Sequence, residues 1–95
     1  MQLREQVEWF SFEMEKVLQD NDHKKGLFDD MSLYDLVTRL KEEFEELLEY
    51  TEVVLEEDEV HGYIPIEDVT VREEVKKEAI DVANFAMAIA WSVRK

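Results

Sequence analysis

The sequence predicts an all-α protein: a helical bundle of three long helices, its four-helix-type core completed by a short helix or by a partner subunit. Three observations carry that prediction. Apolar residues recur at spacings of three, four and seven over long stretches, which is the period of a helix face. Only two Gly and one Pro interrupt the chain, so helix breakers are scarce. Ninety-five residues make a single domain with a core of modest size.

The spacing of Leu3, Val7, Phe10, Met14, Val17 and Leu18 predicts a first helix from about residue 2 to about residue 20. Trp9 and Phe12 widen its stripe toward a partner subunit. They suit either a base-stacking platform or core and dimer packing, and packing is the plainer reading. Asn21, Asp22 and Gly26 then mark a loop. It carries His23, Lys24 and Lys25, which could meet phosphates, although an ordinary solvated loop has the same composition. His23 has no second ligand spaced for a metal.

Ser32-Leu33-Tyr34-Asp35 has the spacing of a capping box, with Asp replacing the usual Glu, and opens a second helix. Its core face reads Leu33, Leu36, Val37, Leu40, Phe44, Leu47, Leu48, Thr51, Val54 and Leu55. The acidic run from Glu56 to Glu59 ends it, since acids disfavour a helix C-terminus. Gly62 and Pro65 make the next stretch a turn or extended loop, with His61 a surface residue. Thr70-Val71-Arg72-Glu73 repeats the capping-box spacing and predicts the start of the third helix. Glu73 and Glu74 early and Arg94 and Lys95 late suit its dipole. From Ala79 to Trp91 only Asp81 and Asn84 are polar. A helix apolar on nearly every side is expected to be buried, and with exposed aromatics it points to a homo-oligomer.

Composition removes several functions. The 25 acidic residues outnumber the 11 Lys and Arg, giving a formal charge of −14. That balance opposes nonspecific binding to nucleic-acid polymers or anionic membranes, which need a basic patch. It still admits a phosphorylated small substrate bridged by metal ions. There are no cysteines, so disulfides and thiolate metal sites are excluded and a reducing cytoplasm is the expected compartment. The acidic, amphipathic N-terminus does not read as a signal peptide. The longest apolar run falls short of the roughly 20 residues that cross a bilayer.

Two acidic pairs carry the chemistry. Glu43 and Glu46 lie three apart in the second helix, and Glu78 and Asp81 three apart in the third. Residues three apart share one side of a helix, with about 4.5 Å of rise between them. Two such helices side by side converge four carboxylates, which repel unless a cation sits among them. A hard divalent ion, Mg²⁺ or Mn²⁺, suits oxygen ligands. The plain reading of the first pair is a solvated acidic face. For the second it is a buried Asp81 satisfied by a Lys or Arg, a partner that this composition makes scarce. Glu43 falls at the edge of the apolar stripe, Glu46 further round the same flank, and Glu42, Glu45 and Glu49 toward solvent. Asn84 could orient a ligand, bond a base or ribose, or equally bond a neighbouring backbone.

The run Glu42-Glu43-Phe44-Glu45-Glu46-Leu47, with Glu78-Ala79-Ile80-Asp81-Val82, resembles the E-E-x-x-E … E-x-x-D pattern of MazG-like nucleoside triphosphate pyrophosphohydrolases. Asn21-Asp22-His23-Lys24-Lys25-Gly26, the acidic-Met-Ser-Leu segment through Leu33, and Asp81 to Met87 resemble the short phage and prokaryotic members. The likeness covers roughly Phe12 to Ala90. It implies a helical bundle, dimeric or tetrameric, that hydrolyses nucleoside triphosphates to the monophosphate and pyrophosphate with Mg²⁺. By matching position it implies Glu43, Glu46, Glu78 and Asp81 as metal ligands. Glu42 would orient or deprotonate the attacking water, and Lys24 and Lys25 would meet phosphates. Residues 47–77 form a long connection for this family. The residues themselves offer no Ser/His/Asp or Cys nucleophile arrangement and no P-loop. A catalytically silent helical oligomerisation module, or a metal- or nucleotide-binding one, is the alternative. A di-iron bundle is least supported, since His23 and His61 fall outside the helices.

Overall fold

A computed structural model describes residues 2–21, 28, 30–51, 54–56, 59–61 and 67–94. The fold is all-α. Helix α1 spans Glu5–Asn21, α2 spans Leu33–Thr51 and α3 spans Val69–Ser92. Between α2 and α3 stand two three-residue strands, β1 (Val54–Glu56) and β2 (Glu59–His61). They pair antiparallel, with Val54 opposite His61, Leu55 opposite Val60 and Glu56 opposite Glu59.

The helix ends have local causes. At the start of α2, Ser32 Oγ accepts the Asp35 amide at 3.1 Å, the cap its spacing predicts. The cap of α3 differs from the expected Thr70. Asp68 takes that place, its carboxylate accepting from the Thr70 amide at 2.9 Å and the Val71 amide at 3.3 Å. Asp outranks Thr as a cap and sets a negative charge on the helix N-terminus. At the other end Arg94 Nη1 donates to the Trp91 carbonyl at 2.6 Å, satisfying one of the last carbonyls.

Helix α2 stops at Thr51, whereas the apolar spacing through Leu55 predicts another turn. Val54, Leu55 and Val60 are strand formers that flank the acidic residues, and pairing β1 with β2 satisfies their backbone groups instead. His61 lies in β2, outside the helices.

Helix α3 packs more extensively against α2 than against α1. Lys76 on α3 reaches Glu13 on α1 at 3.8 Å. The core between α2 and α3 is thin: among the described residues only Leu36, Ile80 and Ala88 are buried apolar side chains, Leu36 at 1% exposure. The all-round burial expected of α3 is absent, because Ala86, Met87, Ala90 and Trp91 are exposed. Leu33, Val37 and Phe44 are exposed as well, and α1 has no buried residue. The apolar residues outnumber what two flanking helices can cover, so each helix retains a dry-type face in solvent. No fourth helix stands among the described residues.

Candidate metal centre

Helix α2 brings Glu43 and Glu46 to the α3 side, and α3 meets them with Glu78. One carboxylate oxygen from each lies within 4.8 Å of the others. Glu43 and Glu78 are buried, Glu78 at 5% exposure, and Glu46 is exposed. The cluster is therefore closed on its inner side and open to solvent at Glu46. Asp81, one turn beyond Glu78, is half-buried at the margin, where its charge acts on Glu43 and Glu78.

This is costly for ionised groups. Two unit negative charges 4.8 Å apart repel by about 3 kcal/mol at an effective dielectric near 20. Burial, followed by a hydrogen bond with Glu46 and the charges of Asp81, Glu46 and Glu43, raises the Glu78 carboxyl from 4.5 to about 7. Burial and the neighbouring Glu46 and Asp81 raise Glu43, and Arg39 opposes the rise. Burial raises Asp81 against the pull of Lys77, with Glu46 adding to the rise and Arg39 opposing it.

Glu78 Oε2 is buried and has no hydrogen-bond partner. Leaving such an oxygen unpaired costs on the order of 1–3 kcal/mol, a cost that protonation of the carboxyl lowers. The donor set fits a hard divalent cation. All donors are carboxylate oxygens, the ligand type such ions take, and they lie within 4.8 Å of one another.

Other expected residues fall differently. Asn84 is buried, and its Oδ1 also lacks a partner. Glu42 lies outside the cluster, exposed and paired with Arg39. Lys24 and Lys25, with His23, lie outside the described residues. Sequence reasoning passed over Arg39, which donates to Glu42 and, at 3.1 Å, to Glu43 Oε1. Its signal was present in the spacing, since Arg39 precedes Glu42 by three and Glu43 by four. Asp81, expected to be buried, is half-buried, and the buried acid of α3 is Glu78.

Fold and site together define an all-α protein with a carboxylate cluster between two helices. Compared with known proteins, the chain matches no family model, no curated protein and no solved structure. Among the described residues no helix is long and apolar enough to cross a membrane.

Proposed function

We propose that this chain hydrolyses a (deoxy)nucleoside triphosphate to the monophosphate and pyrophosphate with the help of Mg²⁺ or Mn²⁺. The observation that carries the reading is the orphaned Glu78 oxygen inside a three-carboxylate cluster. The resemblance of the two acidic motifs to MazG-like pyrophosphohydrolases supplies the reaction.

Glu43, Glu46 and Glu78 would hold the cation, with Asp81 completing the set. When bound, the cation supplies positive charge for the triphosphate oxygens and lowers the pKa of water. The chain's own part is positional. Helices α2 and α3 fix the carboxylates before substrate arrives, so little reorganisation remains at the reaction step. Glu42, adjacent in sequence and exposed, is assigned the attacking water and accepts its proton. Water oxygen joins the α-phosphorus, the α–β bridging bond breaks, and pyrophosphate leaves. Lys24 and Lys25 are assigned to phosphates. Asn84 Oδ1 is assigned a sugar or base hydrogen-bond donor.

The same reading makes the chain a homodimer or homotetramer. What supports it is the exposure of the large aromatics Trp9, Phe12 and Trp91.

The test is a nucleotide panel with Mg²⁺, products resolved by chromatography, wild type beside Asp81→Asn. Monophosphate and pyrophosphate from wild type and a loss of at least 100-fold in the variant are expected, on the scale of losing one charge-stabilising group. Folded proteins that turn over no nucleotide would leave the silent helical module as the reading.

A further inference from the structure

Arg39 touches both helices of the cluster. Its guanidinium donates to Glu42 and, through Nη2, to Glu43 Oε1 at 3.1 Å. It also lies over the Phe85 ring of α3, 5.5 Å from the centroid. Phe85 in turn meets Phe28 in a T-shaped pair, ring centroids 5.3 Å apart. Stacking on a ring keeps the planar fork in place at low entropic cost. The side chain is nonetheless 47% exposed, so its donors border both the cluster and solvent.

Two demands meet at Glu43. Without a divalent ion, Arg39 is the positive charge that offsets Glu43. With an ion bound, the same carboxylate is a ligand, and the guanidinium faces a second cation across it. Its attraction to Glu43 weakens, while the aromatic ring still holds it at the open rim. A guanidinium fork in that position matches a phosphate's paired oxygens.

We infer that Arg39 is a phosphate-binding residue that exchanges Glu43 for substrate phosphate oxygens once the carboxylate cluster holds its cation. The inference rests on the cation-dependent reading above and adds a group to it. Arg39 thereby couples the two binding events: it pairs with Glu43 when the cation is absent and with substrate phosphate when the cation is present.

The experiment is calorimetry on wild type, Arg39→Gln and Arg39→Lys, all checked for helicity by circular dichroism. Mn²⁺ alone is titrated first, then inorganic pyrophosphate at saturating Mg²⁺. Arg39→Gln is expected to bind Mn²⁺ as well as wild type or more tightly, because a competing positive charge is gone. Its pyrophosphate affinity is expected to fall roughly 10- to 100-fold, the worth of a charge-assisted contact. Arg39→Lys, which keeps the charge without the fork, should fall between. A residue that merely positions Glu43 gives the reverse, weaker Mn²⁺ binding with pyrophosphate affinity unchanged, and that result overturns the inference. Equal pyrophosphate affinity in all three proteins overturns it while leaving the cation site standing. Failure of wild type to bind Mn²⁺ overturns both.

Discussion

Glu78 folds at a cost that its protonation relieves. Its carboxyl titrates near 7 in the folded chain, against an ordinary 4.5. The folded state therefore holds a proton that the unfolded state has released between those values. Stability from this group is fully present below pH 4.5 and is lost as pH rises through about 7. Glu43 and Asp81 are shifted the same way. The cation-free protein should thus melt at a higher temperature at pH 5 than at pH 8, as differential scanning calorimetry in chelator will read. Glu78→Gln should flatten that slope and stabilise the cation-free fold at pH 8 by on the order of 1 kcal/mol, roughly 4–8 °C. An unchanged slope in the variant would assign the pH dependence to other groups. At this scale the sequence revealed the pairs and put Glu43 nearer the core than Glu46, but it did not show that Glu78 lies deeper than Asp81. The three-residue spacing within each pair is local. Which acid of an almost wholly apolar helix is buried depends on how α2 and α3 are rotated against each other, and that is a tertiary property.

Among the elements, α3 contributes Glu78, Asp81 and Asn84, so its start matters to the site. Asp68 caps it through two backbone amides. Asp68→Ala should cost about 1 kcal/mol and lower the melting temperature by roughly 4–8 °C, while Thr70→Ala should cost less. A thermal melt followed by circular dichroism separates the two residues, and equal losses would mean the cap is shared. The three helices were legible because each repeats its apolar period over several turns. The stretch after Thr51 was not, since Thr51, Val54 and Leu55 fit a helix period and also supply strand formers. Local pattern cannot choose between them, whereas pairing with Val60 does. The Asp68 cap was obscured by a capping-box spacing two residues later.

Among the described residues, large apolar side chains stand uncovered. Phe12 is 65% exposed and Trp91 63%; Trp9 and Val7 on α1, and Leu3 just before it, are exposed as well. If self-association covers these faces, light scattering at micromolar concentration will give a multiple of 11.4 kDa. Phe12→Glu with Trp9→Ser should then shift the population to monomer, and a wild-type monomer would remove the oligomeric reading. The stripe on α1, with Trp9 and Phe12 turned toward a partner, and the apolar make-up of α3 were visible in sequence. The exposure of Met87 and Trp91 on α3 was not, because a face packed inside one chain and a face packed between chains share the same period.

Mn²⁺ titration followed by electron paramagnetic resonance reads whether Glu43, Glu46 and Glu78 hold a divalent cation. At pH 8, wild type is predicted to show saturable Mn²⁺ binding, displaced by excess Mg²⁺, and Glu78→Gln is predicted to lose at least 10-fold in affinity, on the scale of removing one charged ligand. Wild type with no saturable site, or a Glu78→Gln variant that binds as tightly, would rule out a cation held by this cluster.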